Sequence, residues 1–272
     1  MIHGELPLLS HKTYLSSPSA AWIVFVPGAG ASAAIWRPQL RAARKNWNVL
    51  VLDLRGHGRS AKSTEAADYT FKTRAGDILD VLNAEGIKEA HFVAMSLGSV
   101  LVETVAVIEP SRVKSMVLAG GVAKLDSWAV LLMRFGVIVK RFLPYMWLYR
   151  LFAWIIMPGP THLRTRRLFH KQAKQIQQGE FLRWYSLANE VQRVIRINAK
   201  RKCPIPTLYV MGDQDYMFRR HAYQRAYDRS DTDVVILPNA GHVCSVERAE
   251  DFNLVALAFI RKASKIDSTF HH

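Results

Sequence analysis

Cysteine is scarce in this chain of 272 residues: there are two, Cys203 and Cys244. Two thiols build neither a disulfide framework nor a four-cysteine zinc site. No secretory leader is visible, because Met1 to Ser19 is polar and has no apolar stretch behind a basic cluster. Long hydrophobic runs are missing too. The first apolar run, Ala20 to Val26, has the length of a strand and stops at Pro27. The greasiest region, Trp128 to Met157, is interrupted by Arg134, Lys140, Arg141 and Arg150, too early for a membrane span. These absences point to a cytoplasmic protein with reduced thiols.

Acidic residues are the other shortage. The chain has 22 Asp+Glu against 37 Lys+Arg, a formal net charge of +15. An apolar content of 50% excludes a disordered polybasic protein, and the length supports a full-sized core. The imbalance is also local. Residues 124–202 contain 16 Lys/Arg and 3 Asp/Glu, whereas the rest of the chain contains 21 and 19. This places a boundary at each end of one basic segment.

Outside that segment, strand and helix patterns alternate. Trp22–Val26, Val49–Leu52, His91–Met95, Val113–Leu118, Thr207–Met211 and Val234–Leu237 read as short strands buried on both faces. Phe71–Ala84, Leu97–Ile108, Phe218–Asp228 and Ala249–Lys262 read as helices. The order predicts an α/β fold, a mostly parallel sheet covered by helices on both faces. Residues 122–202 break the rhythm with helical patterns only. The expected organisation is a core of 1–121 and 203–272 with a helical insertion at 122–202.

Five stretches carry chemistry. Ala94-Met95-Ser96-Leu97-Gly98 lies where a strand runs into a helix, with a small residue two before and two after the serine. Such a turn projects the hydroxyl above the sheet, and the free N–H groups of the helix start favour an anion there. A serine N-cap is the plain alternative. Pro27-Gly28-Ala29-Gly30 follows the first buried strand and can expose a backbone N–H; the alternative is an ordinary strand–helix turn. A phosphate loop is a weaker reading, because neither G-x-G-x-x-G nor G-K-[ST] is completed. Asp53 to Ser60, DLRGHGRS, is a glycine-rich loop whose His57 has no His or Cys at ligand spacing nearby, so it reads as loop-structuring rather than metal-binding. No metal and no cofactor are expected. Asp213 and Asp215 offer two carboxylates after one strand, and His242 follows another. Ser96, a carboxylate and His242 thus fall at the ends of parallel strands, along one edge where ligands bind. A serine with a base and an orienting carboxylate is the grouping that nucleophilic acyl transfer requires.

With PGAG, DLRGHGRS, AMSLG, GDQD and NAGH in this order, the chain resembles the serine hydrolases of the alpha/beta-hydrolase fold over residues 20–121 and 203–265. The resemblance implies Ser96 as nucleophile, His242 as general base and Asp215, rather than Asp213, as its acid partner. It implies an oxyanion hole from the backbone N–H groups of Ala29 and Leu97, with Gly28 and Gly98 as the glycines of the supporting turns. Pro27 departs from the family, where a histidine often precedes that glycine; the backbone donor is kept and one side chain is lost from the pocket rim. A serine at the elbow argues against the carboxylate-nucleophile chemistries of this fold. The implied activity is carboxylesterase-like hydrolysis of a small-molecule ester. Thioesters, lactones and carbon–carbon bonds are alternatives with the same triad, and a non-catalytic binding protein is an alternative of another class.

The insertion, read as a cap, holds four of the seven tryptophans: Trp128, Trp147, Trp154 and Trp184. One reading packs its apolar faces over the sheet to line a greasy pocket, with cations in water. The other dips Trp and Phe, including Phe135, Phe142 and Phe152, into an anionic membrane surface. Both favour a lipophilic acyl substrate. A pocket for an acidic substrate is a further reading of the basic residues from Arg164 to Lys202. Nucleic acid is not expected as a partner, because no reading element or stacking platform accompanies the charge.

Overall fold

The computed structural model describes residues 7–61, 69–139, 144–159 and 162–269. Lys140, Arg141 and Phe142 fall outside them. Seven strands form one sheet: β1 (His11–Tyr14), β2 (Trp22–Val26), β3 (Asn48–Leu52), β4 (Ala90–Met95), β5 (Val113–Ala119), β6 (Thr207–Gly212) and β7 (Thr232–Leu237). Their spatial order is β1-β3-β2-β4-β5-β6-β7. All pairings are parallel except that of β1 with β3.

The strands form where apolar runs are long enough to cross the sheet and are stopped by turn residues. Their side chains alternate between two cores. Val24, Val26, Phe92, Ala94 and Leu118 pack with the helices α2 (Phe71–Ala84) and α3 (Leu97–Ile108). Ile23, Phe25, Val93, Met95 and Ala119 pack on the other face with α1 (Arg37–Ala43) and the later helix Ala249–Thr269. This two-sided burial is why the strands read as unbroken apolar runs. The start of α2 is fixed by a reciprocal cap: Thr70 Oγ1 accepts from Thr73 N–H, and Thr73 Oγ1 accepts from Thr70 N–H. Such a cap contributes about 1 kcal/mol.

Outside the basic segment, β1, α1 and the four-residue helix Cys244–Glu247 escape the sequence reading. β1 lies in the polar N-terminal stretch, and its antiparallel pairing on the sheet edge needs no apolar run. α1 is only seven residues long, too short for a periodicity to show. Elsewhere the boundaries differ by a residue or two, except that the last helix runs on to Thr269.

Between β5 and β6 the described residues contain helices and no strand: α4 (Ser127–Val139), α5 (Tyr145–Ile156), α6 (Leu163–Ala173), α7 (Gln178–Ser186) and α8 (Val191–Ala199). All three carboxylates of this basic segment contact the rest of the chain. Asp126 Oδ1 meets His221 Nε2 at 3.0 Å. Glu180 accepts from the Tyr69 hydroxyl at 3.1 Å, and Glu190 accepts from Phe71 N–H at 2.8 Å. The scarce acid is therefore spent on attachment, and the cations are left in excess. After β6 come α9 (Arg219–Asp228), α10 (Cys244–Glu247) and α11 (Ala249–Thr269). No described helix is long and apolar enough to cross a membrane.

Candidate active site

Parallel strands deliver their C-terminal ends to one edge, so the turns after β2, β4, β6 and β7 meet there. The turn after β4 is the most constrained. Ser96 has φ 50° and ψ −122°, a left-handed conformation that a side chain rarely adopts. Its side chain makes no cap hydrogen bond to the helix it precedes, which sets the plain N-cap aside. The strain is held by close packing. A Cβ on Gly98 would stand 2.5 Å from the Pro27 carbonyl oxygen, and one on Gly28 would stand 3.1 Å from Ser96 Cβ. Only glycines let the PGAG turn and the start of α3 approach this closely. The Ser99 hydroxyl, donating to the Ser96 carbonyl at 2.6 Å, ties the first turn down.

The hydroxyl points to the loop after β7. Ser96 Oγ lies 2.8 Å from His242 Nε2, and His242 Nδ1 lies 2.9 Å from Asp215 Oδ2. A carboxylate accepts only, so Nδ1–H donates to Asp215 and leaves Nε2 to accept from the serine hydroxyl. Asp215 and His242 are buried, and the Phe218 ring packs on the imidazole with centroids 4.9 Å apart. Asp215 Oδ1 is held separately, accepting from Phe218 N–H at 3.2 Å. Asp213 points elsewhere: its carboxylate accepts from Ala240 N–H at 3.1 Å and braces the histidine loop from outside. Of the two carboxylates left open by the strand-end pattern, the imidazole meets Asp215.

Ala29 and Leu97 both border the cavity beside Ser96, and neither N–H has a protein acceptor among the described residues. Two free N–H groups beside a serine hydroxyl could receive the oxygen of a bound carbonyl. The shape of the PGAG turn is set by His57. Gly30 N–H donates to His57 Nε2 at 2.8 Å, so Nδ1–H donates to the Arg55 carbonyl at 3.0 Å. This bond holds Gly30 at φ +83°. Burial presses the His57 imidazole down to about 4, against the opposing pull of the Arg55 carbonyl and the Asp53 charge. His57 is a neutral strut, which agrees with its reading as a loop-structuring residue. Asp53 completes the support, accepting from Ala33 N–H at 2.7 Å and Arg59 N–H at 2.9 Å.

Above the serine is a cavity of about 250 Å³. The helices between β5 and β6 form its roof: Met133 from α4, Tyr149 and Phe152 from α5, Phe181 and Trp184 from α7, and Val191 from α8. Among the described residues no Lys, Arg, Asp or Glu lines it. No described cation of the basic segment borders the cavity, so its lining gives no support to the acidic-substrate reading. The four tryptophans also divide. Trp184 is buried, donates to the Arg55 carbonyl at 2.8 Å and stands edge-on to His57. Trp128, Trp147 and Trp154 are exposed. Cys244 is buried with its thiol directed to the Val210 carbonyl at 3.2 Å, and burial pushes its ionisation upward, so it packs rather than reacts. Cys203 is exposed, and both thiols are free.

The sequence profile of the alpha/beta hydrolase family matches residues 23–253. The chain belongs to this family. As an alpha/beta hydrolase it is similar to the enol-lactonase from Burkholderia xenovorans LB400, with a TM-score of 0.78 and 21% identity over 93% of this chain and 96% of that one. A protein of Stutzerimonas stutzeri named carbamate hydrolase RutD is 24% identical over 253 residues, 88% of this chain and 91% of the relative. Its namesake from Caulobacter segnis is 32% identical over 104 residues, which spans 39% of that protein. The names of these relatives point to two bond types, a lactone and a carbamate.

Tyr149, Phe181 and Trp184 border the cavity of this alpha/beta hydrolase. No motif marks them, since aromatic spacing in a helix reads equally as core. Glu180 carries no motif either. It packs beneath Gly56, where a Cβ would stand 2.4 Å from its carboxylate, and it joins α7 to the DLRGHGRS loop. Its sequence signal is scarcity: Glu180 is one of three acids in the basic segment.

Proposed function

We propose that the chain is a serine hydrolase that cleaves a carboxylic ester of a lipophilic, uncharged acyl substrate, with residues 122–202 acting as a cap over a core of 1–121 and 203–272. The observation that carries this reading is the hydrogen-bonded line from Ser96 through His242 to Asp215 beneath a charge-free apolar cavity. Ser96 Oγ forms a bond to the ester carbonyl carbon as its proton passes to His242 Nε2. The carbonyl oxygen becomes an oxyanion between the Ala29 and Leu97 N–H groups. Asp215 stabilises the imidazolium. Collapse breaks the ester C–O bond, and the departing alcohol oxygen takes the proton from His242. Water then attacks the acyl-enzyme with His242 as base, releasing the acid and restoring Ser96.

The cavity selects the substrate. An ionised acyl chain would lose its hydration there without a cation to replace it, a cost of several kcal/mol. Each methylene that fits gains about 0.8 kcal/mol, or about fourfold in binding. The test is a p-nitrophenyl ester series of increasing length, paired with esters that bear a terminal carboxylate. The expected result is a kcat/KM that rises with length and falls by at least about a hundredfold for the carboxylate partner. Preference for the charged esters would refute the reading. Thioesters and lactones fit the same machinery, and the same exclusion of charge applies to them.

A further inference from the structure

Helices α4 and α5 are apolar on both sides. On α4, Ala129, Leu132 and Met133 border the cavity, while Trp128, Leu131 and Phe135 look outward with 52%, 68% and 58% of their surface exposed. On α5, Tyr149, Phe152, Ala153 and Ile156 border the cavity, while Trp147, Leu151 and Trp154 are 64%, 44% and 59% exposed. The outward residues recur at spacings of three and four, which places them on one face of each helix. Gly136 of α4 packs on the Tyr185 ring of α7, with Phe152 of α5 beside it, where a Cβ would stand 3.3 Å from the Phe152 ring. A helix that is apolar all round is stable only with a second apolar surface to cover it.

The chemistry of that surface follows from the charge around it. Residues 127–179 contain nine Lys/Arg and no Asp or Glu. α6, packed beside α5, carries an exposed face on which Arg164, Arg167, Lys171 and Lys174 are flanked by Leu163 and Leu168. None of these four cations forms an ion pair among the described residues. Arg150 lies over the Trp147 ring, 6.0 Å from its centroid. Exposed Trp, Phe and Leu beside unpaired cations, on a stretch with no Asp or Glu between residues 127 and 179, suit the interface of an anionic bilayer: rings at the acyl boundary and cations at the headgroups.

We propose that the outer face of α4, α5 and α6 docks this protein peripherally on an anionic lipid membrane, with Trp128, Trp147 and Trp154 inserted and Arg164, Arg167 and Lys171 on the headgroups. The inner sides of α4 and α5 are the wall of the cavity, so a lipid-soluble molecule would pass from bilayer to cavity across two helices that are apolar on both sides. The docking goes beyond the hydrolytic reading and stands independently of it, since it needs neither Ser96 nor His242.

The experiment is sedimentation of the full chain with vesicles of phosphatidylcholine alone and of phosphatidylcholine mixed with phosphatidylserine. Binding to the mixed vesicles is expected, weakened by salt as the cations are screened. Trp147→Ser with Trp154→Ser should weaken it by at least about tenfold. Arg164→Glu, Arg167→Glu and Lys171→Glu together should weaken it by about a hundredfold and remove the preference for phosphatidylserine. Both variants should hydrolyse a short water-soluble ester as the wild type does if the hydrolytic reading holds; circular dichroism checks their folding in either case. Quenching of wild-type tryptophan fluorescence by brominated lipid gives the same answer without a variant. Three results would each overturn the proposal: no association with phosphatidylserine vesicles, association unchanged in both folded variants, or a dimer in sedimentation equilibrium that the tryptophan changes dissolve without any vesicle binding. The last would mean that a second copy covers the face.

Discussion

The floor and the roof of the cavity are built on different principles. On the floor, backbone geometry places the groups: Ser96 in a left-handed turn, Gly98 against the Pro27 carbonyl, and Gly212 where a Cβ would stand 2.2 Å from the Ala240 carbonyl. On the roof, side chains from α4 to α8 fill the space, and what they require is bulk and apolarity rather than one conformation. The floor tolerates almost nothing, because a displaced backbone moves the reacting atoms. The roof tolerates substitution, because its role is to match a shape. On the proposed function, chemistry belongs to the floor and selectivity to the roof, and substitutions test that division.

The largest effect is expected on the floor. Asp215→Asn should lower kcat by about ten thousandfold, because the amide misdirects the imidazole, while Asp213→Asn should cost less than about tenfold. The reverse order in steady-state kinetics would exchange the two carboxylates. His57→Gln should reduce kcat by roughly ten- to a hundredfold through a loosened Gly30. It should also change the pH dependence of stability. The folded pKa of His57 is about 4 against an ordinary 6.5, so the unfolded chain takes up a proton first. The stability from keeping His57 neutral is complete above 6.5 and is lost as pH falls toward 4, at most about 3 kcal/mol. Urea denaturation at several pH values should show a shallower slope for His57→Gln across that window; an unchanged slope would remove His57 as its source.

A smaller effect tests the packing of the floor. Gly98→Ala should cost about 1–3 kcal/mol in a denaturant titration, because the nearest obstruction is a backbone oxygen that cannot step aside. The smallest effect belongs to the roof. Phe181→Ala should leave kcat on a short ester within about threefold, while shifting the ratio of kcat/KM between long and short acyl chains by about tenfold. A roof substitution that abolished turnover of the short ester would erase the distinction.

The same division explains what was legible in the sequence. Backbone constraints leave motifs, because a left-handed serine needs Ala94 and Gly98 about it and a strand-end carboxylate needs its own turn. Hence β2, β4 and β6, the serine turn, His242 and the pair Asp213 and Asp215 are legible in the sequence, with the family resemblance choosing Asp215 from the pair. β1 is not, since its edge pairing uses backbone hydrogen bonds that no side-chain pattern records. The roof could be recognised as helical and aromatic, but not which way it faced. Trp184 and Trp154 carry the same side chain in the same kind of helix, and one is buried over His57 while the other is exposed. Orientation depends on how five short helices settle against the sheet, and the three carboxylates that attach them gave the only sequence trace of it.

The proposed function requires Ser96 to be a nucleophile activated by its surroundings. An alkyl fluorophosphonate reports this directly, because it reacts only with an activated hydroxyl beside an anion site. The measurement is the intact mass of the wild type and of Ser96→Ala after exposure to the reagent. The expected result is one phosphonyl adduct on the wild type, located at Ser96 by peptide mapping, and none on a folded Ser96→Ala. An unmodified wild type, or an adduct that persists in Ser96→Ala, would contradict it.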